Sequence, residues 1–213
     1  MSERELREEM VRYCRSLFER GFSVGTAGNV SARVADGFLM TPTNSCLGFL
    51  EPERISKLDK DWNHVGGDKP SKEVFLHRAF YETRPATGAV VHLHCTHCTA
   101  LSCLADLDDA DCVEPITPYV VMRVGKVARV PYVKPGDPRS GDLIRGLDGR
   151  HAAVLLANHG PVVAGKDLTS AVYASEELEE TAKLLLMLRP FKTQRLTDTQ
   201  VEELEAGYAR QMR

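Results

Sequence analysis

Ala89-Val90-Val91-His92-Leu93-His94 is an apolar run that ends in two histidines one residue apart. In an extended strand alternate side chains point the same way, so the two imidazoles share one face with their Cα atoms roughly 7 Å apart. Nitrogens at that separation can converge on one metal ion, and imidazole suits zinc and its first-row neighbours. A second apolar run, Ala153-Val154-Leu155-Leu156-Ala157, leads into Asn158-His159-Gly160, which offers a third ligand from an adjacent strand end. Three neutral imidazoles make an open site, with a coordination position left for substrate or water. His64, His77, His97 and His151 lack this context and read as ordinary surface or helix residues.

Around this strand the pattern alternates between helical and extended. Leu6, Met10, Val11, Cys14, Leu17 and Phe18 give residues 3–20 a helical spacing that ends before Gly21. Val30 to Val34 alternates with period two, Asp36-Gly37 is a hairpin signal, and Phe38 to Thr41 is the return strand. A further strand pair is expected around Leu58-Asp59 and Val65. Pro70-Ser71 opens a helix that runs through Tyr81, with proline in its first turn. A short helix is expected from Thr96 to Leu104, and Val- and Tyr-rich strands over 118–133. A helix around 139–147 follows, and then a long helix capped by Asp167, with Leu168, Ala171, Val172, Leu178, Ala182 and Leu185 in one stripe. The tail, 197–211, reads as a last helix or a frayed end. The hairpins argue against a purely parallel doubly wound sheet, so the expectation is one α/β domain over 1–213 with a mixed or antiparallel sheet and helices on its faces.

The chain has 213 residues, 43% hydrophobic and 27% charged, which is enough core for one domain without disulfides. A net charge of −3 with no basic cluster argues against nucleic acid as a partner. The densely charged first nine residues have no apolar segment of the signal-peptide kind, and no apolar stretch approaches the length of a bilayer span. The expected address is the cytoplasm, with no membrane partner. There the six cysteines are expected to be reduced thiols, including the lone C-x-x-C of Cys95 and Cys98.

Glu73 is the candidate acid/base. It is expected one turn inside the Pro70 helix, where the dipole favours a carboxylate, and beside a metal it could ligate the ion or exchange protons. The backbone of Gly25 to Asn29, the hydroxyls of Thr26, Thr43, Ser45 and Ser71, and the start of the Pro70 helix could together hold a phosphate. The Gly-x4-Gly-Lys-Ser/Thr pattern of a P-loop is absent.

Taken together, Gly25-Thr26-Ala27-Gly28-Asn29-Val30-Ser31, Thr41-Pro42-Thr43, Pro70-Ser71-Lys72-Glu73, His92-Leu93-His94 and Asn158-His159-Gly160 resemble the class II aldolase/adducin family. The match keeps its order over nearly the whole chain. It implies a class II aldolase-like α/β fold, a central, mainly antiparallel sheet flanked by helices, assembled as a homotetramer with active sites between subunits. It further implies that His92, His94 and His159 bind Zn2+, other divalent metals remaining open. Glu73 would be the acid/base and a possible fourth ligand. The residues implied to contact substrate phosphate are Thr26, Gly28, Asn29, Thr43, Ser45 and Ser71. Tyr119, in Thr117-Pro118-Tyr119, would reach the neighbouring subunit's site.

Adducin-like members that serve as non-catalytic scaffolds lose the metal histidines, which this chain keeps. Epimerases of the family carry aspartate where Glu73 stands, so the glutamate points to the aldolase-like branch. Gly67-Asp68-Lys69-Pro70, Val121-Met122-Arg123-Val124-Gly125 and Pro135-Gly136-Asp137-Pro138 are among the segments that look closest to members decarboxylating 3-oxo-tetronate 4-phosphate. The implied substrate is a small phosphorylated sugar acid. The resemblance leaves open a fuculose-1-phosphate type aldolase, which passes through the same enediolate, and a methylthioribulose-1-phosphate dehydratase. A basic residue at Lys72, where such aldolases have serine, suggests that Lys72 or Arg123 neutralises the extra carboxylate of a β-keto acid.

Overall fold

The structure is a computed structural model and describes residues 2–211. Its centre is an eight-stranded sheet. The strands are β1 (Asn29–Val34), β2 (Gly37–Met40), β3 (Ser56–Asp59), β4 (His64–Gly66), β5 (Ala89–His92), β6 (Val127–Val130), β7 (Ala153–Leu156) and β8 (Gly160–Gly165). Their order across the sheet is β4-β3-β2-β1-β5-β8-β7-β6, and every neighbouring pair is antiparallel except β6 with β7. The mainly antiparallel sheet flanked by helices is the one expected.

Both faces of the sheet are covered, which is why its strands read as near-continuous apolar runs. On one face α1 (Glu3–Glu19), α3 (Thr96–Ser102), α4 (Pro118–Arg123) and α6 (Leu168–Leu188) pack on Val30, Ala32, Ala89, Val91 and Leu155. On the other, α2 (Val74–Thr83) and α5 (Arg139–Arg145) pack on Val90, Val154, Leu156 and Val162. A last helix, α7, spans Asp198–Gln211. Period-two alternation then decides which side each central residue faces. Val91 belongs to the first core and Val90 to the second, so His92 projects toward α2, as do Asn29 and Ser31 of β1 beside it.

Two elements differ from the sequence reading. The Pro70 helix begins at Val74, because Pro70 is held in an isolated bridge to Pro42 and the chain turns through Lys72 and Glu73 before the helix starts. Pro118–Arg123 is a helix instead of a strand. Thr117 caps it, its hydroxyl accepting from the Val120 N–H, and Pro118 supplies the fixed φ of a first helical position. The long helix keeps its expected cap, with Asp167 and Ser170 forming reciprocal bonds. Among the described residues no helix is long and apolar enough to cross a membrane.

The turn between β7 and β8 lies hard against β5. A Cβ built on Gly160 would stand 2.3 Å from the Leu93 carbonyl oxygen, so only glycine lets the turn approach. Gly160→Ala is expected to cost about 1–3 kcal/mol in denaturant unfolding, from overpacking against backbone that cannot yield.

Candidate active site

His92 ends β5, and His94 follows after one residue. His159 is supplied by the three-residue turn joining β7 and β8, in which Asn158 takes a left-handed φ of 57°. Asparagine tolerates that conformation better than most residues, which accounts for the Asn-His-Gly sequence. The His159 Nε2 lies 2.9 Å from the His94 Nε2, which is 3.1 Å from the His92 Nε2. Glu73 completes the group, its Oε2 3.5 Å from the His92 Nε2 and its Oε1 3.7 Å from the His159 Nε2.

These four side chains fit a tetrahedral ion. Zinc–nitrogen bonds of 2.0–2.1 Å require ligand atoms about 3.4 Å apart, and the observed spacings bracket that value. The ring chemistry agrees. His92 donates from Nδ1 to the Pro161 carbonyl at 2.8 Å, which leaves the Nε2 lone pair facing its neighbours. Burial, reinforced by the adjacent imidazoles, holds His92 well below the usual histidine range and lowers His94 too. Burial lowers His159 as well, against the opposing pull of Glu73. All three are therefore neutral at pH 7. Three imidazole nitrogens and a carboxylate turned on one point form a possible metal site.

Glu73 is not one turn inside a helix but the residue that precedes α2, and its side chain makes no cap bond. Its carboxylate turns instead to the histidines and accepts from the Asn29 Nδ2 at 2.8 Å, while its backbone N–H donates to the Ser71 Oγ at 3.2 Å. That bond, with the Pro42–Pro70 bridge, brings the 41–45 and 69–71 segments beside the metal ligands. The Thr43 N–H donates to the Lys69 carbonyl, and the Ser45 hydroxyl donates to the Pro42 carbonyl. Gly28 has a left-handed φ of 81°, and a Cβ there would meet the His92 carbonyl oxygen at 2.9 Å, so the loop lies on β5. Thr26 is exposed in the preceding turn.

Lys72 is exposed on the turn before α2, not on a helix face. Tyr119 is 55% exposed on α4, with the Arg123 guanidinium 5.9 Å over its ring. Arg123 also lines a hollow with Glu176, Glu177 and Glu180, away from the four ligating groups. A further cation shares the site's cleft: Lys134 lines it together with Glu73, His159, Gly136 and Ser140. The sequence reading passed over Lys134 because its loop is far from Glu73 along the chain.

His77, set aside in the sequence as an ordinary helix residue, is fully buried. It bonds to Ser31 and Asn29, and burial pushes it down to about 3. Two signals pointed to it. It lies four residues after Glu73, and Asn29 and Ser31 put polar side chains on one face of an otherwise apolar strand. Cys95, Cys98 and Glu179 make a second group of close ligand atoms. The Glu179 oxygens are already occupied, accepting from the His97 and Cys98 N–H groups and the His97 ring, so this carboxylate serves the start of α3. All six cysteines are free thiols.

A model of the class II aldolase and adducin N-terminal domain matches residues 8–186. A 3-oxo-tetronate 4-phosphate decarboxylase of Pectobacterium atrosepticum is 52% identical over 204 residues, covering 95% of this chain and 94% of that one. An L-fuculose phosphate aldolase of Methanocaldococcus jannaschii is 35% identical over 181 residues, covering 85% and 96%. The crystal structure of YgbL from Klebsiella pneumoniae superposes with a TM-score of 0.93 at 51% identity, over 96% of this chain and 99% of that one.

Two outcomes follow from the site. His92→Ala should lose bound metal, read by elemental analysis of the purified protein, whereas Glu73→Gln should keep it on three histidines. Because His77 stays neutral when folded but titrates near 6.5 when unfolded, the unfolded chain binds the extra proton between those values. Stability therefore drops as pH falls from 6.5 toward 3, by about 1.4 kcal/mol per pH unit from this group. Denaturant unfolding of metal-free protein at several pH values should show that slope, and His77→Gln should flatten it by one proton's worth.

Proposed function

The chain belongs to the class II aldolase and adducin family, and on that footing we propose that it decarboxylates 3-oxo-tetronate 4-phosphate to dihydroxyacetone phosphate and CO2. The observation that carries this reading is near-full-length identity to a decarboxylase of that substrate, together with an intact cluster of three histidines and Glu73. The chain acts as one domain in a homotetramer in the cytoplasm, with Tyr119 completing the site of a neighbouring subunit.

His92, His94 and His159 would hold a divalent ion, Zn2+ by the chemistry of its ligands, with Glu73 as a fourth ligand. When bound, that ion would supply Lewis-acid stabilisation of negative charge. The residues around it manage the rest. As CO2 leaves, the electron pair of the C1–C2 bond moves into the C2–C3 enediolate; Glu73, which takes up a proton from solvent once substrate is bound, delivers it to C2 and yields dihydroxyacetone phosphate. Asn29 fixes the Glu73 carboxylate from one side, and the Ser71 hydroxyl accepts from its backbone N–H. Accepting that bond leaves the Ser71 O–H free to donate to the substrate phosphate, together with Thr26, Gly28, Asn29, Thr43 and Ser45 around the same loops. A β-keto acid carries a carboxylate that a sugar phosphate lacks, and it meets Lys134, which shares the cleft of Glu73 and His159, with Lys72 beside it in the turn.

Metal-loaded enzyme given 3-oxo-tetronate 4-phosphate should release CO2 and dihydroxyacetone phosphate in equal amounts. Turnover of fuculose 1-phosphate alone, or product without CO2, would replace this reading with the aldolase. Lys134→Ala and Lys72→Ala should each lower kcat/KM for the β-keto acid about tenfold, the loss expected of one charge-assisted hydrogen bond. Unchanged values in both would place the carboxylate elsewhere.

A further inference from the structure

The Glu73 carboxylate is the end of a buried chain of hydrogen bonds whose direction the chemistry fixes. The Glu73 Oε2 only accepts when ionised, so the Asn29 Nδ2 donates to it at 2.8 Å. The Asn29 Oδ1 must then accept, and its partner at 2.5 Å is the His77 Nε2. Neutral imidazole has one donor and one acceptor, so the His77 proton resides on Nε2 and its Nδ1 accepts from the Ser31 hydroxyl at 2.8 Å. The Ser31 oxygen in turn accepts from the Tyr81 hydroxyl at 3.0 Å. Each donor has one acceptor, and no step can be reversed without leaving two lone pairs or two protons face to face.

We propose that His77 is a positioning residue for catalysis: acting through Asn29, it holds the amide with its N–H toward Glu73 and so fixes where the proton-transferring carboxylate sits. The proposal rests on the acid/base reading of Glu73. An unsupported Asn29 could turn its amide by half a rotation and present oxygen to a carboxylate, which would repel it. His77 prevents that turn because its only donor already points at the Asn29 oxygen. Asn29 is buried and lies directly across the ladder from His92, so the same strand pairing that sets the metal ligands also sets this support. Burial keeps His77 neutral and so preserves the single-donor pattern. Tyr81 and Ser31 extend the chain away from the site and hold the imidazole tautomer.

The test uses the metal-loaded enzyme. His77→Leu, which keeps bulk but has neither donor nor acceptor, should lose about 10- to 100-fold in kcat, the range usual for support behind a site, with metal content little changed and KM moved less than kcat. His77→Gln, which can donate to Asn29 and accept from Ser31, should recover most of that loss. In a Glu73→Gln background His77→Leu should cost nothing further, because its effect passes through the carboxylate. Unchanged kcat in His77→Leu would overturn the positioning role. Full activity in Glu73→Gln alone would overturn the acid/base reading beneath it, so the two failures are distinct. If His77→Leu does not fold, nitrogen-15 NMR of histidine-labelled wild-type protein decides the matter. The proton of His77 should be on Nε2 at pH 7, and finding it on Nδ1 would overturn the chain of bonds.

Discussion

Everything at this site depends on antiparallel pairing at the end of β5. His92 faces Asn29 of β1 on one side and Val162 of β8 on the other. That register brings together one of the clustered imidazoles, the amide that steadies Glu73, and, through the β7–β8 turn, the loop that carries His159. A shift of β5 by one residue would turn His92 toward the opposite core and away from Asn29. Close backbone approaches enforce the arrangement. Gly28 and Gly160 both lie where a Cβ would strike a β5-segment carbonyl, so the loops on either side are held in contact with the strand.

The cost of the arrangement is electrostatic, and it is what makes the site chemically useful. His92 and His159 each lie within hydrogen-bond distance of His94 in a largely buried place, where protonation of any one opposes the others. Neutral nitrogens facing one point with a carboxylate beside them are stabilised by a cation and by little else. Behind them, on the α2 face of the sheet, Asn29, Ser31, His77 and Tyr81 make a polar band whose members are bonded to one another. A satisfied buried network of this kind specifies geometry at little cost, whereas a broken one would be expensive.

The decarboxylase and aldolase readings share this machinery, because either reaction passes through an enediolate and would draw on the same histidines and Glu73. What separates them is the group that leaves, and with it the charge that the cleft must meet. Lys134 is in that cleft, whereas Arg123 stacks on Tyr119 and faces a hollow lined by three glutamates.

The sequence by itself determined the period-two and helical patterns, and the His-x-His and Asn-His-Gly segments at the ends of apolar runs. It also determined the turn chemistry and the Asp167 cap. These are local properties, set by backbone periodicity and by which side chains tolerate a given φ, so they are readable without knowing what lies across the sheet. Tertiary structure alone decided the rest. The Pro42–Pro70 bridge delays α2 to Val74, which frees Glu73 to turn inward instead of serving a helix end. Pro118–Arg123 is a helix packed against α6 although its valines and tyrosine favour a strand. His77 becomes a buried support and not a surface residue because α2 packs over β1, and Lys134 reaches the cleft because its loop folds over Glu73. Each of these depends on a contact between segments far apart in the chain, and such contacts are chosen by the packing of the whole sheet, which no local pattern encodes.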